Sequence, residues 1–320
     1  MTRPDPHAGF RRQRHPGFEL WVDSPEESTA AFAQSVVRGL GDHPRWLHCR
    51  YLYDARGSAL FERITEQPEY YPTRTEAALL REHARDIRAL VGAPTLVELG
   101  AGSSVKTRHL LDAWADEPAR YVPVDVSLEA LTMSCAALAR EYPGVAIRGL
   151  AASYERALPL LRELSPLVLV FLGSTIGNFN PEELGDFLER VSAALAVGDH
   201  FLLGIDLVKD VRTLEAAYND RAGVTAEFTR NFFARMNREL GTRLDLEAIE
   251  HVAHYNDRLD RIEIFARFTR EAVIELPDLG RRFRIAPGEM IMTEISRKFR
   301  TDEMAATAAR YAFETVRTFT

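Results

Sequence analysis

Leu96-Val97-Glu98-Leu99-Gly100-Ala101-Gly102-Ser103-Ser104-Val105-Lys106 joins an apolar run to an acidic residue, two glycines and the start of an amphipathic stretch. That order reads as a strand, a tight turn and the beginning of a helix. Glycines let a ligand lie against the backbone, and free N–H groups at a helix start favour polar or anionic groups. Downstream, a second apolar run, Tyr121-Val122-Pro123-Val124, ends in Asp125, 25 residues after Gly100. A carboxylate at that strand end can accept two hydrogen bonds from a ribose diol. Together the two runs specify a nucleoside site. The third glycine of a dinucleotide-binding turn is replaced by Val105, and Gly-Lys-Ser/Thr does not occur, which argues against pyrophosphate and P-loop chemistry.

The chain around this motif alternates regularly between residues 75 and 207. Helices are expected over 76–91, 106–114, 128–142, 154–164 and 181–195, and strands over 95–99, 121–124, 145–150, 167–172 and 200–207. Continuous apolar strands between amphipathic helices imply an α/β fold, a doubly wound parallel sheet covered on both faces. Ligands then sit at the carboxyl ends of the strands, where the Gly100 turn and Asp125 both fall. After Asp206 the rhythm changes. Two helices (211–219 and 225–240) precede period-two alternation over 250–255, 261–269, 272–276 and 290–298, the pattern of an added α+β lobe with antiparallel strands. A helix over 302–309 and a strand over 313–319 are expected to return to the sheet. The division expected is a flexible tail over 1–17, an N-terminal segment over 18–71 packing on the lobe, a nucleoside-binding core over 72–207 plus 297–320, and the lobe over 208–296.

Composition narrows the function. The 320 residues are 46% hydrophobic and 27% charged, as in ordinary globular proteins, and the net charge of −7 argues against a nucleic-acid partner. Cys49 and Cys135 are the only cysteines and lie far apart, the usage of reduced thiols in a cytoplasmic protein. The longest apolar run, 167–172, is too short to cross a bilayer, so no membrane association is expected. His251 and His254, the closest histidine pair of the folded region, would face opposite sides of a strand, so no metal site is expected.

The pattern Glu98-x-Gly100-x-Gly102, followed by the acidic strand end, resembles class I methyltransferases that use S-adenosylmethionine. Longer strings narrow the resemblance: Tyr53-Asp54-Ala55-Arg56-Gly57-Ser58-Ala59-Leu60-Phe61, Pro68-Glu69-Tyr70-Tyr71-Pro72-Thr73-Arg74, Phe171-Leu172-Gly173-Ser174-Thr175-Ile176-Gly177-Asn178-Phe179, Asp206-Leu207-Val208-Lys209-Asp210 and Thr293-Glu294-Ile295-Ser296-Arg297-Lys298-Phe299. In this order they resemble the L-histidine Nα-methyltransferases of ergothioneine biosynthesis, and the likeness runs from about Trp46 to Phe299. The resemblance implies a Rossmann-like class I core with a substrate lobe, trimethylation of the α-amine of histidine to hercynine, and S-adenosylmethionine as methyl donor. It assigns Gly100, Lys106, Asp125, Ser153 and Tyr154 to the cofactor and Tyr53, Tyr70, Asn178, Tyr218, Glu294 and Ser296 to histidine, with Tyr53 and Asn178 at the reacting amine. A monomer acting on a small molecule is the expectation.

Each assignment has a chemical reason. An Asn donates to a carboxylate and accepts from an amine at once, which suits an amino-acid head group. Without the resemblance, Asn178 reads equally as a turn cap. Glu294 and Ser296 alternate on a strand, so they share a face. A carboxylate there accepts one imidazole N–H, and a hydroxyl serves the other ring nitrogen as donor or acceptor. The tyrosines offer hydroxyls and aromatic faces to a growing quaternary ammonium. Tyr53 is the candidate to relay the amine proton, with direct loss to water the simpler route. Lys106 is placed to meet a carboxylate of the cofactor.

Three departures from the family stand out. Ser153–Tyr154 replaces an acidic residue followed by Phe, Ile264 stands where some relatives carry a pocket Met, and the chain ends at Thr320 where relatives continue into a last strand. A missing strand would leave an exposed sheet edge. Two rival readings follow: a methyltransferase for another aromatic amino acid, and a protein that binds S-adenosylmethionine or histidine without catalysis. The Gly-Ser-Thr-Ile-Gly string does not satisfy a Gly-x-Ser-x-Gly elbow, so a serine nucleophile is rejected.

Overall fold

The computed structural model describes residues 7, 9–23, 29–92, 94–114 and 119–320. In chain order these form β1 (Arg11–His15), β2 (Phe18–Val22), α1 (Thr29–Gly41), α2 (Ala55–Thr65), α3 (Tyr71–Val91), β3 (Thr95–Leu99), α4 (Arg108–Ala113), β4 (Arg120–Asp125), α5 (Leu128–Glu141), β5 (Ala146–Ala151), α6 (Tyr154–Ala157), β6 (Leu167–Phe171), α7 (Pro181–Ala194) and β7 (His200–Leu203). There follow α8 (Val211–Ala217), α9 (Val224–Glu239), β8 (Ile249–Asn256), β9 (Arg261–Phe268), β10 (Ala272–Leu276), β11 (Arg281–Ile285), β12 (Met290–Arg297) and α10 (Thr301–Ala309).

The expected parallel sheet is present. Seven strands run in the order β1-β2-β5-β4-β3-β6-β7, all parallel except the β1–β2 pair. β3 and β6 are fully buried, as their unbroken apolar runs require, and a hydrophobic cluster covers each face of the sheet. β3 and β4 are neighbours, so the glycine turn and Asp125 emerge side by side at one end.

The second half differs as the change of rhythm requires. β12, β9 and β8 form an antiparallel sheet backed by α9, and β10 pairs with β11, a strand the alternation alone had not marked. Phe228, Phe232, Phe233 and Met236 of α9 pack with Ile262, Ile264 and Phe268 of β9 into a third core. Residues of α1, α2 and the turn Cys49–Leu52 join that core, and Leu47 donates to the Met292 carbonyl at 2.7 Å, fastening the N-terminal segment to β12.

Three sequence expectations are corrected. The tail expected over 1–17 contains β1, while residues 1–6 and 8 lie outside the described residues. The segment 18–71 does not pack on the lobe as one piece, because β2 buries Leu20, Trp21 and Val22 and extends the main sheet beside β5. Residues 313–319 form no strand. The chain turns at Ala312 (φ +63°), and aromatic contacts of Phe313 with Phe201 (5.7 Å) and Phe319 with His83 (4.8 Å) anchor it in place of a ladder. Among the described residues no helix is long and apolar enough to cross a membrane.

Candidate active site

At the sheet's carboxyl end the backbone does most of the construction. Gly100 and Ala101 both donate to the Val124 carbonyl, at 2.9 and 3.1 Å, drawing the turn over β4. Gly100 and Gly102 occupy the left-handed region (φ +67° and +50°), where a side chain is strained. A Cβ on Gly100 would lie 2.8 Å from the Tyr154 hydroxyl, whereas one on Gly102 would project into open space. Asp125 ties the turns together, accepting from Gly102 N and Ser127 N, each at 2.9 Å. Burial raises its pKa, opposed by those N–H groups.

Beneath the turn lies a buried polar cluster that the sequence did not disclose. The Glu98 carboxylate accepts from Thr107 Oγ1 at 2.6 Å and from the Tyr121 hydroxyl, which in turn contacts Ser104 Oγ at 3.1 Å. Burial lifts Glu98 to about 7 against the pull of those two bonds. Ser104, itself at φ +52°, also accepts from Ser134 at 2.9 Å, so the loop's shape is held from below.

Lys106 lies in the turn before α4, not in its first helical turn. Its ammonium pairs with Glu76 of α3, whose carboxylate also accepts from Gly173 N at 2.8 and 2.9 Å. Glu76 thereby joins the loops after β3 and β6, a role no motif announced. Ser153 stands at the N-cap position of α6 without a side-chain capping bond, and its hydroxyl is buried with no partner in the described structure. Tyr154 packs edge-on to Phe171 at 5.5 Å. An unpartnered buried hydroxyl, an open glycine turn and a strand-end carboxylate fit adenosine: Ser153 for the purine edge, the turn for its passage, Asp125 for the ribose.

Facing this side is a cavity lined by Tyr53, Tyr70, Asn178, Tyr218, Glu294 and Ser296, together with Phe61, Phe228, Ile264 and the turn Gly173–Thr175. All six residues assigned to the acceptor therefore meet in one space, although they come from positions 53 to 296. Tyr53 precedes α2, whose capping Asp54 is gripped by Asn231 Nδ2 at 2.7 Å and by Arg238 at 2.5 Å. Tyr70 opens α3 and lines the cavity, while its neighbour Tyr71 turns away to donate to Asp206 at 2.6 Å. Asn178 follows β6, and its amide caps nothing, since it has no hydrogen-bond partner among the described residues.

β12 supplies the other wall. A bulge at Thr293 shifts the register so that Glu294 stands opposite Ile264 and Ser296 opposite Ile262, on one face as expected. Burial raises Glu294 to about 7, and its carboxylate has no protein hydrogen-bond partner among the described residues. Ser296 Oγ lies 2.8 Å from the Tyr218 hydroxyl, and Lys298 Nζ donates to both at 2.9 Å. Lys298 is fully buried and also pairs with Asp206 at 3.0 Å. It was present in the string that suggested the family, and its period-two spacing from Ser296 was the available signal. Burial, with the Glu294 charge, holds the Tyr53 phenol well above its ordinary range, so it is a hydroxyl and not a base at neutral pH. His251 bonds the Tyr218 carbonyl at 2.8 Å and Thr229 at 2.8 Å, a supporting contact behind the cavity.

A doubly wound sheet with a glycine turn and a ribose-type carboxylate, facing a side-chain-built acceptor cavity, defines a class I methyltransferase. The comparisons agree. A family described as "Histidine-specific methyltransferase, SAM-dependent" matches residues 32–320, and the chain belongs to that family. Histidine N-alpha-methyltransferase of Mycolicibacterium smegmatis is 44% identical over 292 residues, 91% of this chain and 90% of that protein. The enzyme of the same name from Mycobacterium tuberculosis is 40% identical over 292 residues, 91% of each. Ergothioneine biosynthesis protein 1 of Neurospora crassa is 32% identical over 243 residues, 73% of this chain but 28% of that protein.

Proposed function

We propose that this protein transfers methyl groups from S-adenosylmethionine to the α-nitrogen of L-histidine, three in succession, giving the trimethylated betaine hercynine used in ergothioneine biosynthesis. The observation that carries the reading is Glu294, an unpartnered carboxylate on the cavity wall beside a hydroxyl on the same strand face. A buried carboxylate left unpaired is costly, and a ligand ring N–H removes that cost. A pocket built this way discriminates strongly against side chains that lack the donor.

S-adenosylmethionine supplies an electrophilic methyl; the protein's part is placement. Gly100, Gly102, Asp125, Ser153 and Tyr154 hold the donor, with Lys106 and Glu76 bracing the loops around it. Asn178 and the Tyr53 and Tyr70 hydroxyls hold the amino-acid head group at the boundary between the two sides. Acceleration then comes from alignment and local electrostatics, without a covalent intermediate on the protein. Tyr53 orients the amine, and the displaced proton leaves to water. As N–H donors are replaced by methyls, the rings of Tyr53, Tyr70 and Tyr218 keep favourable contact with the cationic nitrogen.

The test is mass spectrometry of the protein incubated with S-adenosylmethionine and an equimolar mixture of the twenty amino acids. Trimethylated histidine as the dominant product is expected. Another methylated amino acid would move the assignment to a different acceptor, and binding of both ligands without turnover would establish the non-catalytic alternative.

A further inference from the structure

Lys298 forms three charge-assisted contacts, and its ammonium has three protons: one bond goes to Asp206 (3.0 Å), one to the Tyr218 hydroxyl and one to Ser296 Oγ (both 2.9 Å). It is donor-only, so each hydroxyl oxygen must accept from it. The two hydroxyls are themselves 2.8 Å apart, which uses one of their two protons. A phenol is the stronger donor and an alcohol the stronger acceptor, so Tyr218 donates and Ser296 accepts. Ser296 then has both lone pairs engaged and one proton left, pointing to the cavity it lines.

From this geometry we infer that Lys298 is a positioning residue that fixes Ser296 as a hydrogen-bond donor, so that the pocket admits the neutral imidazole in one tautomer and excludes imidazolium. The inference rests on the histidine reading and deepens it. Glu294, two residues before Ser296 on the same face, accepts from one ring nitrogen; Ser296 donates to the lone pair of the other. An imidazolium would present a second N–H to a hydroxyl that cannot accept, with the Lys298 charge behind it. Besides Glu294, the charged or titratable groups around the ammonium are Asp206, which pairs with it, and Lys209 and Tyr71, which also bond Asp206. Because Lys209 and Tyr71 remain on Asp206, loss of Lys298 does not strand that carboxylate.

The experiment compares KM for histidine with KM for β-(1,2,4-triazol-3-yl)alanine, whose ring stays neutral, between pH 8 and pH 5.5. Glu294 titrates in both series and cancels in the ratio. In the wild type the histidine-to-triazole KM ratio is expected to rise about tenfold across this range, following protonation of free histidine near 6.5. Lys298→Met is expected to raise KM for histidine at pH 8 about tenfold with kcat changed less than threefold, and to flatten the ratio, because a released Ser296 can accept. Ser296→Ala removes the donor but leaves the Lys298 charge, paired with Asp206 and Tyr218, and supplies no acceptor. It is expected to raise KM for histidine at pH 8 about tenfold and to flatten the ratio only in part, and it carries the test if Lys298→Met does not fold. A variant that keeps the wild-type ratio, or loses kcat at unchanged KM, overturns the proposal while the histidine reading stands. A wild type that neither binds histidine in calorimetry nor methylates it overturns both.

Discussion

The two sides of the cleft are built by different means. The donor side uses backbone: two left-handed glycines, loop N–H groups and one carboxylate that ties neighbouring turns together. The acceptor side uses side chains brought from Tyr53, Tyr70, Asn178, Tyr218, Glu294 and Ser296, on three helix or turn junctions, one loop and one strand. A backbone site tolerates few residue types but needs only a short stretch of chain. A side-chain site can be retuned residue by residue, yet it depends on the whole lobe holding its shape. The donor side should therefore fail by local strain and the acceptor side by loss of recognition.

Four substitutions test that contrast. The largest effect is expected from Glu294→Ala, which removes the acceptor proposed for the ring N–H. kcat/KM for histidine should fall by about 10- to 150-fold, the worth of a hydrogen bond to a charged group, with affinity for S-adenosylmethionine unchanged in calorimetry. A parallel loss of donor affinity would erase the distinction between the sides. Gly100→Ala should do the converse: a Cβ at φ +67° and 2.8 Å from the Tyr154 hydroxyl costs about 1–2 kcal/mol or more. Donor affinity should drop roughly tenfold, with KM for histidine held.

The third prediction concerns stability. Burial raises Glu294 from 4.5 to about 7, so the native state favours the protonated carboxyl. Its contribution is fully present below pH 4.5 and is lost as pH rises through 7. Glu294→Gln, which stays neutral, should therefore be more stable than the ligand-free wild type at pH 8 by up to about 3 kcal/mol, a few degrees in melting temperature, while the two should melt together at pH 4.5. A constant offset across pH would show that the wall carries no such cost. The smallest effect is expected at Ile264→Met, a volume-conserving exchange opposite Glu294. KM for histidine should change less than about threefold.

The same contrast explains what the sequence disclosed. The core sheet was readable because its strands are continuous apolar runs, and the donor turn because Gly100, Gly102 and Asp125 sit at fixed local spacing. β1 and β2 escaped because an arginine-rich strand and its partner have no parallel-sheet signature, and β2 joins the main sheet beside β5, more than 120 residues away in the chain. Residues 313–319 alternate like a strand but anchor through Phe313 and Phe319 instead. Period two placed Glu294 and Ser296 on one face, but not the bulge at Thr293 that sets their register. Glu76 carried no signal of a functional role, and Lys298 only its period-two spacing from Ser296. Each acts through partners distant in sequence, and an acid or lysine in an amphipathic stretch ordinarily faces water.

Gly177 has a wider consequence. A Cβ there would meet the Arg297 carbonyl at 2.8 Å, so the loop ending in Asn178 lies flush on the strand carrying Glu294 and Ser296. One backbone seam thus separates the groups assigned to the head of the substrate from those assigned to its ring, and no hinge intervenes at that point. On the proposed assignments the pocket is a gauge of fixed span: an amino acid one methylene longer or shorter than histidine is expected to seat its ring or its amine, but not both.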